Sequence, residues 1–168
     1  GNMFLNDLKL TRIDLGPQTS FGHDSVIQSS AWGNTEGYAA NASQTWTITP
    51  TGNGPVTITI APGSATESAS YDYIQFWKNV TSANPSATGS ASGKLGGANI
   101  AGKTYTYSGV SSLVVSFRSD GSVQKAGFKL YITGGKVTAS TNGGVYANVS
   151  NDLGVFGPQT PLCDEGKG

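Results

Sequence analysis

Residues 112–132 read SLVVSFRSDGSVQKAGFKLYI, two apolar runs set around a loop that carries Asp120. In the first run Leu113, Val115 and Phe117 fall on alternate positions; in the second, Phe128, Leu130 and Ile132 do the same. A period of two is the mark of a half-buried β-strand, because successive side chains point to opposite faces. The stretch therefore predicts two strands joined by a polar loop.

The same period recurs outward from it. Trp46 and Ile48 alternate with Thr45, Thr47 and Thr49, and Val56, Ile58 and Ile60 alternate with Thr57 and Thr59. Asp72, Ile74 and Phe76 face Tyr73, Gln75 and Trp77 in the same way. Between the runs lie TPTGNGP, APGSATESAS and NPSATGSASGKLGG, all rich in turn-forming residues. No long segment joins good helix formers to a 3.6-residue apolar stripe, so no helix is expected. Many short strands separated by turns predict an all-β, antiparallel, jelly-roll-like sandwich.

Extensions flank it at both ends. LKLTRIDL places Leu8 and Leu10, then Ile13 and Leu15, on alternate positions with a one-residue slip, as in a bulged strand. KVTASTNGGVYANVS, from Lys136, reads as a hairpin turning at Asn142-Gly143, which supplies the positive φ angles of a tight turn. The expected organisation is an amino-terminal extension over 1–27, a sandwich over 28–133 and a hairpin with a tail over 134–168. GPQT occurs at 16–19 and again at 157–160, as two similar turns or as matching contacts between subunits.

Composition narrows the function classes. With 168 residues the chain suits one domain with extensions. Ten basic and ten acidic residues cancel, leaving no field to hold nucleic acid or an anionic membrane. No apolar run is long enough to span a bilayer, so membrane insertion is not expected. Cys163 is the single cysteine, which rules out a disulfide within the chain. Gly1-Asn2-Met3 opens no charged-then-apolar leader, and the expectation is a soluble chain, processed or taken without its leader.

The segment from Gln28 to Thr133 resembles the CUB domain family. NASQTWTITP and VTITI resemble that family's early strands, YDYIQF its Tyr-Asp-Tyr strand, and LVVSFRSDGSVQKAGFKLYI its closing pair with Phe-x-Ser-Asp and Gly-Phe. The resemblance implies an extracellular β-sandwich. In calcium-binding members a Glu, the Asp of Tyr-Asp and the Asp of Ser-Asp hold the ion, which carries over to Glu67, Asp72 and Asp120; Glu67 matches with a shortened loop before Tyr71. The family's first disulfide would join positions near Gln44 and Ala69, and neither is cysteine here.

The acids fit that reading on independent grounds. Between Gln28 and Thr133 the acids are Glu36, Glu67, Asp72 and Asp120, and three of the four sit at strand ends or in adjacent loops. Calcium takes six to eight oxygen ligands, which loops at one end of a sandwich can supply. Converging acids without basic partners repel one another unless a cation lies between them. The competing reading is local: Asp72 accepts backbone hydrogen bonds, and Asp120 forms an Asx turn over Gly121.

Other motifs lead nowhere. His23, the single histidine, lies in SFGHDS with no Gly-x-Ser-x-Gly elbow elsewhere, which argues against a Ser-His-Asp hydrolase. Glu67 and Asp72 as a glycosidase pair lack a hydrolase fold behind them. GANIAGKT, 97–104, satisfies the P-loop pattern, but neither a buried parallel strand before it nor a helix after it is expected. Sequons at Asn41, Asn79 and Asn148 are no more than chance supplies in a chain this rich in Asn, Ser and Thr.

Among the aromatics Trp46 reads as core, while Tyr71, Trp77 and Trp32 are the candidates for stacking on a sugar or anchoring a protein, with packing the favoured reading for Trp77 because large aromatics usually bury. The sequence therefore predicts a noncatalytic extracellular or particle-surface binding module, engaging a protein or glycan at a calcium-holding edge. The alternative is a structural subunit of a virion, tail or filament that contacts neighbouring copies of itself through its extensions.

Overall fold

The computed structural model describes residues 22–80 and 91–150. The bulged strand expected at Leu8–Leu15, both GPQT segments and Cys163 lie outside the described residues.

The elements are β1 (Ser25–Gln28), β2 (Ser43–Pro50), β3 (Val56–Ile60), β4 (Tyr73–Lys78), β5 (Thr104–Tyr107), β6 (Leu113–Arg118), β7 (Lys129–Thr133), β8 (Gly135–Ser140) and β9 (Val145–Ala147). They form a five-stranded sheet in the order β5-β3-β7-β1-β9 and a four-stranded sheet in the order β4-β6-β2-β8. Every neighbouring pair is antiparallel.

The two halves of the 112–132 stretch land in different sheets. Strand β6 pairs with β2 and β4, whereas β7 pairs with β1 and β3. The loop carrying Asp120 therefore crosses the rim from one layer to the other, which sets the acid on an edge of the sandwich and not over either face.

Alternation decides what fills the space between the layers. Ile58, Ile60, Ile74, Phe76, Leu113, Val115, Phe117, Phe128, Leu130 and Ile132 are fully or almost fully buried in one continuous core. Each such side chain contributes about 1.5–3 kcal/mol relative to an exposed one. Phe117 and Phe128 meet edge to face at 4.9 Å, so the two strands bracketing the Asp120 loop are fastened together directly beneath it. Trp46 is fully buried, as expected, and its Nε1 donates to the Val145 carbonyl at 3.2 Å.

The carboxy-terminal pattern requires a correction. The Asn142-Gly143 turn forms, with φ of 53° and 76° and a Gly144 N–H to Thr141 carbonyl bond of 3.1 Å. Its two flanking strands do not pair with each other: β8 joins β2 in one sheet and β9 joins β1 in the other. The turn is thus a bridge between layers. Val137 faces the shared core from β8 and the indole of Trp46 reaches across to β9, so burial outweighs local pairing. Strands within 25–28 and 135–147 complete both sheets, and the sandwich runs past the expected limits of 28 and 133.

The P-loop pattern lacks the context that a phosphate site needs. A single 3-10 turn, Ala98–Ile100, precedes Lys103, and Thr104 opens edge strand β5. No helix begins there to aim amides at a phosphate.

Candidate functional site

Glu67 lies in the connection between β3 and β4, Asp72 immediately before β4, and Asp120 just beyond β6. Strands β4 and β6 are antiparallel neighbours, with Tyr73 opposite Arg118. The start of one therefore meets the end of the other, and Asp72 is brought beside Asp120. The three carboxylates each offer an oxygen within 4.8 Å of the other two. Glu36, the fourth acid of the core segment, is exposed and stands outside the cluster.

Asp72 is the centre of the arrangement and is fully buried. Its Oδ2 accepts the Tyr38 hydroxyl at 2.5 Å, and its Oδ1 accepts the Asp120 N–H at 2.8 Å. Each carboxylate oxygen has a second lone pair, so both bonds leave acceptor capacity directed to the cluster. The Asp120 carboxylate is turned by its own loop, since Oδ1 accepts the Ser122 N–H at 3.2 Å. Both local roles anticipated for these acids are thus present, and the carboxylates converge in addition.

Tyr38 was not anticipated as a site residue. It is buried, packs edge to face on Phe117 at 5.0 Å, and uses its hydroxyl twice, donating to Asp72 and accepting the Glu67 N–H at 3.0 Å. One phenol therefore fixes the spacing between two of the three acids. Burial and its bond to Asp72 push its ionisation well above the usual tyrosine range, so the donor is present at every physiological pH. Tyr38 and Asp72 are 34 residues apart, and no spacing rule links them in the sequence.

Glu67 is held by its backbone. Gly97 donates to the Glu67 carbonyl at 3.0 Å and to Thr66 Oγ1 at 3.0 Å, and Thr66 Oγ1 also lies 2.7 Å from the Glu67 carbonyl and 3.0 Å from the Asp72 carbonyl. Gly96 makes this clamp possible: a Cβ there would lie 2.6–2.7 Å from backbone atoms of Ala69 and Asp72. Ala69 and Gln44, the positions near which the family's first disulfide would fall, have other work. Ala69 packs its backbone against Gly96, and Gln44 Nε2 donates to the Asn142 carbonyl at 3.1 Å.

The side chain of Glu67 is the least satisfied of the three. Its Oε1 is buried and receives no hydrogen bond from a described residue. Burial, then the negative charges of Asp120 and Asp72, raise its carboxyl above the ordinary glutamate range, while Lys125 pulls the other way. An oxygen withdrawn from water without a partner, beside two further carboxylates, is a donor set suited to a hard cation.

The aromatics part company. Tyr71 is 55% exposed and adjoins Asp72 in the chain. Trp77, a candidate partner contact for which packing is the favoured reading, is packed: it is 8% exposed, with Nε1 donating to Ser116 Oγ at 3.0 Å on the adjacent strand β6. Trp32 is half-buried against Val26, Ala61 and Tyr131 on the five-stranded sheet. The sequon at Asn148 is occupied structurally, since its side-chain amide donates to the Val137 carbonyl and accepts the Val137 N–H, both at 3.0 Å.

Comparison with known families matches the CUB domain model to residues 18–132. No curated protein matches the chain.

Proposed function

The chain belongs to the CUB domain family, and from that membership we propose a noncatalytic extracellular module that binds a protein partner through a calcium-holding rim formed by Glu67, Asp72 and Asp120. CUB domains are generally protein-binding modules of secreted or extracellular proteins, and that coarser description applies here. Among the described residues no helix is long and apolar enough to cross a membrane.

The observation that supports the finer reading is the convergence of three carboxylates within 4.8 Å, one of which carries a buried oxygen that no described residue hydrogen-bonds. Calcium would be held by these carboxylates with carbonyls and water completing its shell, and would neutralise their mutual repulsion. The loops of Glu67 and Asp120 would then be tied together, leaving Tyr71 exposed beside them as an apolar contact for a partner. The same rim with a glycan partner is a less supported variant, because Trp77 and Trp32 are packed and Tyr71 alone remains to stack on a sugar.

Thermal melting in calcium and in chelator tests the site. An ion at a hundred times its dissociation constant adds about 2.7 kcal/mol to native stability. For a domain of this size that is a rise of roughly 5–10 °C. Asp120→Ala should abolish the rise. Coincident melts in calcium and chelator, with Asp120→Ala indistinguishable from the parent, would refute the site.

A further inference from the structure

The dipeptide Asn-Gly occurs twice in the chain, at Asn53-Gly54 and at Asn142-Gly143. It is the context in which an asparagine amide is most open to attack by its own backbone, because glycine has no Cβ to shield the following nitrogen or to restrict its approach. The fold treats the two copies in opposite ways.

Asn142 is held inside the turn between β8 and β9, with φ of 53°. Its Nδ2 donates to the Ser43 carbonyl at 2.5 Å, its carbonyl accepts Gln44 Nε2 at 3.1 Å, and the Gly144 N–H closes the turn on the Thr141 carbonyl at 3.1 Å. Gly144 packs on Trp46, where a Cβ would lie 2.9 Å from the indole. The side-chain amide is therefore tethered to the neighbouring strand and the backbone beside it is fixed.

Asn53 is the tip of the link between β2 and β3, which carries the chain from one sheet to the other. The link is fastened at its ends: the Thr51 N–H donates to the Gly134 carbonyl at 3.0 Å, and the Pro55 carbonyl fills the place that a Cβ on Gly134 would take. Between these points the chain is open. Residues 51–55 are all exposed, a Cβ on Gly52 or Gly54 would meet nothing within 4 Å, and the Asn53 side chain makes no hydrogen bond among the described residues. The Asn41 N–H reaches the Asp120 carbonyl just before β2 begins, so the link beyond the end of β2 lies at the opposite end of the sandwich from the carboxylates.

We propose that the fold leaves Asn53, and not Asn142, as a self-acting modification site that loses its amide as ammonia. The Gly54 backbone nitrogen gives up its proton to water and attacks Asn53 Cγ, closing a five-membered succinimide. The bond from Cγ to the amide nitrogen breaks, and that nitrogen takes a proton and leaves as ammonia. Water then opens the ring at either carbonyl, giving aspartate or an isoaspartate whose backbone runs through the side chain. Each product replaces an amide by a carboxylate, so a chain of formal net charge zero gains a negative charge at the end remote from the rim. The isoaspartate also lengthens the backbone by one carbon, and the open space around Gly52 and Gly54 accommodates it without disturbing either sheet.

The full chain is incubated in mildly alkaline buffer made with heavy-oxygen water, and fragment-ion mass spectrometry reads each asparagine. Asn53 should take up one heavy oxygen, and an isoaspartyl methyltransferase with labelled S-adenosylmethionine should then methylate the product. Asn142 should react more slowly by on the order of tenfold or more, because its hydrogen bonds must open first. In urea the two rates should converge. Asn53→Gln should remove the label from that position, Gly54→Ala should slow it severalfold, and the reacted protein should melt with an Asn53→Asp protein. An Asn53 that keeps its amide in the folded chain while reacting in urea overturns the proposal, and equal labelling of Asn142 in the folded chain overturns the selection by the fold. A reacted protein that melts below Asn53→Asp overturns the open seat for the isoaspartate.

Discussion

Replacing Tyr38 by Phe removes one oxygen and keeps the ring that packs on Phe117. Two hydrogen bonds go with it, the 2.5 Å bond to the carboxylate of the fully buried Asp72 and the 3.0 Å bond from the Glu67 N–H. A bond to a charged group contributes about 1.5–3 kcal/mol and a neutral one about 0.5–1.5 kcal/mol, so the loss is roughly 2–4.5 kcal/mol. At about 2–4 °C per kcal/mol this lowers Tm by roughly 5–15 °C. Urea unfolding followed by tryptophan fluorescence, in chelator, gives the free energy, and the m-value should not change because the surface exposed on unfolding is the same. The second half of the test is a cycle with Asp72→Asn. If the hydroxyl acts through the carboxylate, the double variant loses less than the sum of the singles by about 1 kcal/mol or more. A Tyr38→Phe protein within about 1 kcal/mol of the parent, or strict additivity with Asp72→Asn, would show that the phenol does not organise the acids and that the cluster is a consequence of chain path alone.

Two further outcomes are expected. Because Glu67 has its carboxyl raised in the folded chain, the native state binds more protons than the unfolded state just above the ordinary glutamate range. Metal-free stability therefore falls as pH rises through that window, and Glu67→Gln should flatten this part of the Tm–pH curve; a rise in metal-free stability over the same window would contradict the assignment. Gly96→Ala forces a Cβ to within 2.6–2.7 Å of the Ala69 and Asp72 backbone, which should lower stability by about 1–3 kcal/mol and weaken the response of Tm to calcium, since the strained segment is the one that positions Glu67 and Asp72. A Gly96→Ala protein that melts with the parent and keeps its full calcium shift would show that the loop has room to yield.

The strands were legible because burial on one face writes itself into the chain with a period of two. Val56–Ile60 and Leu113–Arg118 needed no tertiary knowledge to be placed. What the period cannot carry is which layer a strand joins. Gly135–Ser140 and Val145–Ala147 have the pattern and the turn of a hairpin, yet each finds a larger apolar partner in a different sheet. The same limit applies to Trp77: alternation puts it on the outer face of β4, correctly, but only the position of Ser116 on the adjacent strand reveals that the indole nitrogen is satisfied within the fold.

The candidate site was legible in part, and the division is physical. Carboxylates are scarce in this chain, so their positions stand out, and two of them flank strands whose type is readable. The groups that hold them are ordinary residues with no such contrast. Tyr38 is one of seven tyrosines, Thr66 one of many threonines, and Gly96 one of twenty-four glycines.

Yet these are the residues that substitute for covalent fastening near Ala69. Thr66 receives the Gly97 N–H and sits against two carbonyls of its own loop, Gly96 lets the chain close on Ala69 without a side chain between, and Tyr38 joins Asp72 to Glu67. A disulfide would hold the loop by restricting the unfolded chain. This clamp holds it only in the folded state and only while its donors are in place. The rim's stability therefore rests on donors that single substitutions can remove, and a calcium ion at the proposed site would stabilise the loops that no cysteine secures.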